Sequence, residues 1–126
     1  MAGAINLQPE TLDLSLYAGD GVEFRLLCTD NAQAPLDVSG ETEAEVKLDR
    51  LEGTVALVSF TTDMTNAANG IIELSLTGAD TQLLVADPSS KNGKFTGVWD
   101  LQWTPTGKEP RTICQGKVEC LADVTR

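Results

Sequence analysis

The densest carboxylate feature of the chain is Glu41, Glu43 and Glu45, three acids at every second position. Alternate residues of an extended segment point to one side, so these carboxylates share a face. Such a row offers oxygen ligands to a hard cation. Calcium and magnesium sites, however, usually gather their oxygens on loops that turn about a glycine. A solvated strand face is the simpler reading, and charge in this position also discourages edge-to-edge pairing. Asp63, Asn66 and Asn69 form a second oxygen-rich stretch. It fits no EF-hand spacing, and Asp and Asn favour turns for conformational reasons alone. Cys28, Cys114 and Cys120 fall on apolar faces, where thiols pack rather than react. Trp99 and Trp103 would stack on sugar rings if their face were exposed, but the whole face is apolar and points to a core. Histidine is absent. That removes the commonest general base, the commonest zinc ligand and every Ser–His or Cys–His pair. Among nineteen acids, two carboxylates can meet by chance in glycosidase fashion, but no pocket signal accompanies them. The expectation is a protein that is not an enzyme, with no catalytic, cofactor-binding or metal-ligating residue and no cofactor.

The bulk numbers agree with an ordinary folded domain. The chain has 126 residues, 41% hydrophobic and 22% charged, which fits one domain with a real core. A mean hydropathy of −0.09 and the lack of a long apolar run exclude a helical membrane span. The first ten residues carry neither a basic stretch nor an apolar core, so no secretory leader is expected. Three cysteines without a CxxC read as free thiols of a reducing compartment. Cys114 and Cys120 share a strand face but lie too far apart to bond each other. The net charge of −10 argues against nucleic acid and against anionic membranes as partners. It fits plain acidic solubility or a basic protein partner.

The elements that would position these residues are short strands. Gly93 to Thr104 alternates Phe95, Gly97, Trp99, Leu101 and Trp103 on one face with Lys94, Thr96, Val98, Asp100 and Gln102 on the other, the pattern of a half-buried central strand. The turn cluster Pro105 to Pro110 leads into a last strand over Thr112 to Val124, which makes a hairpin. Earlier strands are expected over Leu12–Tyr17, Val22–Cys28, Glu41–Asp49, Val55–Thr61 and Ile71–Leu76. Val55–Thr61 is apolar on both faces, so it should be buried on two sides or packed against another subunit. Thr77 to Leu84 resembles one helical turn, with Asp80 as a cap and Leu83 and Leu84 plugging the end of the core. Residues 1–10 form an extended N-terminal arm, and residues 11–126 form a single β-sandwich domain. The antibody type of immunoglobulin domain is not supported, because Cys28, Trp99 and Cys114 have the wrong spacing.

Three segments carry a family resemblance. They are Tyr17-Ala-Gly-Asp20 running into Val22–Leu26; Pro35-Leu-Asp-Val-Ser-Gly40 leading to Ala44–Leu48; and Gly70–Thr77, Ala79-Asp-Thr-Gln-Leu-Leu84 and Gly93-Lys-Phe-Thr-Gly-Val-Trp99. Together they resemble the small Ig-like β-sandwiches of tailed-phage virions, namely the N-terminal domains of baseplate upper proteins and the collar and fibre-attachment proteins of siphophages. The resemblance spans residues 15 to 104. It implies an all-β fold, an Ig-like antiparallel β-sandwich of seven to eight strands with one short helical turn. It also implies a non-enzymatic structural protein of a phage virion, a tail, collar or baseplate component. Such a protein acts through assembly as a symmetric homo-oligomer with other virion proteins (tail tube, connector or fibre). Localisation would be the virion, after synthesis and assembly in the host cytoplasm. Because no fibre or receptor-binding segment follows the sandwich, a free-standing building block is expected. The N-terminal arm and Val55–Thr61 are the expected contact surfaces. The alternatives are a capsid decoration protein, or a carbohydrate- or receptor-binding module.

Overall fold

A computed structural model describes residues 10–122 except Asn31 and Glu52. About half of the described chain is strand, arranged in two sheets around one core. The larger sheet contains β1 (Glu10–Thr11), β2 (Leu14–Tyr17), β4 (Glu41–Lys47), β5 (Ala56–Ser59), β8 (Lys94–Thr104) and β9 (Arg111–Leu121). Its order is β1-β9-β8-β4-β5, with β2 also on β9. The smaller sheet is β3 (Val22–Leu27), β7 (Ile71–Leu76) and β6 (Thr61–Asp63), in the order β3-β7-β6.

The tryptophan strand sits where its alternation puts it. β8 pairs on one side with β4 and on the other with β9, and Phe95, Gly97, Trp99, Leu101 and Trp103 are all buried. The hairpin to β9 is also present, with a bulge opposite Leu101 and Gln102. Trp99 joins the two sheets. Its ring meets Phe24 of β3 edge-on at 5.8 Å and Phe60 at 5.5 Å, and Phe24 meets Phe60 at 5.9 Å. Edge-to-face rings attract beyond the area that they bury, so this triad holds the two layers in register. The chain passes from β5 in one sheet to β6 in the other across the single residue Phe60.

The structure departs from the sequence expectation at four places. The sheets are not wholly antiparallel, because β1 and β2 run parallel to β9, from Glu10 opposite Cys114 to Tyr17 opposite Leu121. Among the described residues there are nine strand segments rather than seven to eight. Two breaks account for the surplus, at Leu12–Asp13 and at Phe60. The helical element α1 runs Gly78–Ala86 rather than a single turn. Finally, Glu10, expected in the arm, belongs to β1, while the rest of that arm lies outside the described residues.

Helix α1 begins with a capping box. The Thr77 hydroxyl accepts from the Asp80 amide, and the Asp80 carboxylate accepts from the Thr77 amide at 2.9 Å. Asp80 is therefore the third helical residue of the box and not the cap itself. Leu84 is fully buried and closes the end of the core, whereas Leu83 is 58% exposed. α1 lies against β5, β8 and β9.

Candidate interaction surfaces

The acidic residues divide into two groups by what they touch. Asp37, Asp63 and Asp87 each accept the amide and the hydroxyl of the residue two positions on, Ser39, Thr65 and Ser89. Asp49 accepts the Leu51 amide and the Thr54 hydroxyl, and Asp30 accepts the amides of Ala32 and Ala34. These are turns closed by Asp side chains. The hydroxyl bonds first, and the amide bonds second, hold the carboxyls of Asp37, Asp49, Asp63 and Asp87 below the usual carboxylate range. Asp63 thus uses its Oδ1 to close its own loop, which then forms the 3-10 turn Ala67–Asn69. The Asp63, Asn66 and Asn69 stretch is a loop closure.

The second group lines the sheets. Glu41, Glu43 and Glu45 do share the outer face of β4, opposite Thr104, Gln102 and Asp100 of β8. Burial, the Glu43 charge and the nearby Asp100 push the Glu45 carboxyl up, while Lys47 at 3.8 Å pulls it back. Among the described residues no group of three His, Cys, Asp or Glu side chains is placed to hold a metal ion. Beside this ladder, Arg50 folds back over the sheet. Its guanidinium donates to the Gly116 carbonyl at 3.0 Å and the Trp99 carbonyl at 3.5 Å. Asp49 and Arg50 together fix the β4–β5 loop, which presents Leu48, Leu51 and Val55 to solvent, the last two more than 70% exposed.

The remaining candidates resolve as packing. Trp99 is 1% exposed and Trp103 6%, so neither forms a stacking platform. The indole of Trp99 donates to the Leu12 carbonyl at 2.7 Å, and that of Trp103 donates to the Ser39 carbonyl at 3.1 Å. All three cysteines are free, with Cys114 and Cys120 buried and Cys28 half-buried. Burial pushes the Cys114 and Cys120 thiols up to about 11 and raises that of Cys28. Such thiols are poor nucleophiles at neutral pH. In the Val55–Thr61 stretch, Val58 and Phe60 enter the core, Leu57 packs partly against it, and Val55 stays in solvent. The stretch is an edge strand that switches sheets, which accounts for its two apolar faces.

Two residues have structural roles that the sequence pattern does not disclose. Gly116 is one. A Cβ there would drive into the Leu12 carbonyl oxygen, the same oxygen that Trp99 holds. Thr81 is another. Its buried hydroxyl accepts from the Gly19 amide at 3.0 Å and faces the carbonyls of Asp20 and Gly78 at 3.1 and 3.0 Å.

On the outer face of the smaller sheet, Glu23, Arg25, Thr61, Asp63, Glu73 and Ser75 rim a shallow concavity of about 570 Å³. Arg25 makes no ion pair among the described residues, although Glu73 lies opposite it in the register. Among the described residues no helix is long and apolar enough to cross a membrane. No protein-family model matches the chain, and no curated protein matches it in sequence.

Proposed function

We propose that the chain is an Ig-like β-sandwich that serves as a non-enzymatic structural protein of a phage virion, in the tail, collar or baseplate. In this reading it acts by docking to other virion proteins as part of a symmetric assembly. The observation that carries the proposal is the role of the residues behind the family resemblance. Gly19 and Asp20 meet Gly78 and Thr81 in one hydrogen-bonded junction, and Thr77 and Asp80 cap the helix that leads to the tryptophan strand. The turns, the cap and the buried positions of the motif hold the fold together, as expected of a scaffold rather than of a catalyst. The strand order also supports it. Four neighbouring strands β9-β8-β4-β5 facing β3-β7-β6 follow the G-F-C-C′ and B-E-D layout of variable-type immunoglobulin sheets. With tryptophans, thiols and most loop carboxylates committed to the fold, the surfaces left for function are edges and the exposed β4–β5 loop.

The test is compositional. Particles purified by density gradient from the host that carries this gene should contain the chain, in fixed proportion to the other tail proteins by quantitative mass spectrometry. Recovery of the chain only as free protein, with none in the particles, would overturn the reading.

A further inference from the structure

We propose that the open edge of β3 is a contact between two copies of this chain, paired antiparallel with Glu23 of each copy opposite Arg25 of the other. Strand β3 has one partner, β7, among the described residues. The Cys28 amide donates to the Gly70 carbonyl at 2.7 Å, in the same register that pairs Leu26 with Ile72 and Phe24 with Leu74. Bonded and unbonded pairs alternate along an antiparallel ladder. The backbone groups of Glu23, Arg25 and Leu27 therefore point away from β7, towards the open side. Their side chains stand on the outer face, exposed, and Leu27 is 70% exposed.

The charges select both the partner and the register. Only residues with outward backbone groups can exchange hydrogen bonds across the new edge, so odd positions must meet odd positions. Pairing Arg25 with Arg25, or Glu23 with Glu23, sets like charges opposite each other and is disfavoured. Pairing Glu23 with Arg25 satisfies the hydrogen-bond parity and, by the two-fold axis, forms the opposite-charge pair twice. That axis passes by Phe24, so the contact is self-complementary, as an isologous interface must be. It also gives Arg25 a carboxylate partner, where among the described residues it makes no ion pair. The two smaller sheets would join into one continuous sheet. The inference stands whether or not the chain belongs to a virion.

The experiment is sedimentation equilibrium over a wide concentration range, on the wild type and three variants. The wild-type mass should climb from 13.4 kDa towards twice that value. Glu23→Arg and Arg25→Glu should each weaken dimerisation by about tenfold or more, since each places like charges opposite twice. The double exchange, Glu23→Arg with Arg25→Glu, should restore the wild-type constant. Far-UV circular dichroism confirms that each variant is folded. Amide hydrogen exchange supplies a second readout, with the Arg25 and Leu27 amides fast in dilute solution and slowed at high concentration. A monomer at every concentration overturns the proposal. So does a dimer indifferent to the single exchanges, or one that the double exchange fails to restore. Slow exchange at Arg25 and Leu27 in dilute protein would also overturn it, because the edge would then be covered within one chain.

Discussion

Replacing Thr81 by valine tests whether the junction between α1 and the β2–β3 turn is held by one hydroxyl. The two side chains are nearly the same shape, so the change removes the hydroxyl without opening a cavity. Thr81 is fully buried, and its oxygen is the acceptor for the Gly19 amide. Gly19 has φ 90°, and a Cβ at Gly78 would collide with the Gly19 carbonyl, so the turn and the helix are in backbone contact. There is little room for water to replace the lost acceptor. An amide left without its partner at such a site costs about 1–3 kcal/mol. An unfolding entropy of about 2.1 cal/mol/K per residue over 126 residues makes each lost kcal/mol worth about 4 °C in Tm. The expected fall for Thr81→Val is therefore about 8 °C, for a loss of about 2 kcal/mol. Thr81→Ser is the control. It keeps the hydroxyl and loses one methyl, worth about 1 kcal/mol. Thermal and urea unfolding measure both variants, with an unchanged urea slope showing that the end states are comparable. The Gly19 amide should exchange faster in the valine variant and not in the serine variant. A valine variant at least as stable as the serine one, or with Gly19 protection intact, would refute the reasoning.

Two further outcomes follow from the geometry. Gly116→Ala should push the Leu12 carbonyl off the Trp99 indole, so the Leu12 amide, which donates to the Gln115 carbonyl, should exchange faster while the hairpin of β8 and β9 keeps its protection; unchanged exchange at Leu12 would contradict the contact. The buried thiols make stability depend on pH in the alkaline range. The native fold holds the protons of Cys114 and Cys120 to about 11, whereas an unfolded thiol releases its proton near 8.5, so the unfolded state binds fewer protons and stability falls as pH rises through this window. Replacing both cysteines by alanine should flatten that slope in urea midpoints measured from pH 8 to pH 11, whatever it does to stability at neutral pH.

Strands with one wet face and one dry face were legible in the sequence because burial imposes a period of two. β8 and β7 show this well, with Ile72, Leu74 and Leu76 buried as their alternation requires. The two-sided apolar run near Val58 was visible as an anomaly. Its cause was not, since a strand that changes sheets looks the same in sequence as one buried in mid-sheet. Leu48 continues the alternation of β4, yet it is 43% exposed, because the bulge at Val46 and Lys47 ends the ladder and the chain turns out. Period-two patterning also carries no information on strand direction. The parallel course of β1 and β2 rests instead on pairings more than a hundred residues apart, Asp13 with the Lys117 amide among them. The same holds for Arg50, whose partners Trp99 and Gly116 lie far along the chain, and for the contact of Thr81 with the β2–β3 turn.

The N-terminal strand makes the clearest link between this packing and the proposed assembly role. Its break at Leu12–Asp13 is fixed from three directions. The Leu12 amide donates to the Gln115 carbonyl at 2.8 Å, its carbonyl takes the Trp99 indole, and the Asp13 carboxylate takes the Lys117 amide at 2.9 Å. A glycine at 116 is what lets the Leu12 oxygen reach the core, and Trp99 is also the ring that joins the two sheets. A pull on the chain at Glu10 is therefore passed to the centre of the domain within two residues. It is not absorbed by a loosely attached edge. Hydrogen bonds in a parallel ladder loaded along the strand axis share the force, whereas an edge loaded from one end peels bond by bond. A building block that transmits load between neighbours needs the first arrangement, and it needs one tie into the core so that the strand cannot slide past its partner. The tryptophan strand supplies that tie: the Leu12 carbonyl holds the Trp99 indole and the facing rings of Phe24 and Phe60 hold its other side, which is why its chemistry is spent on the scaffold.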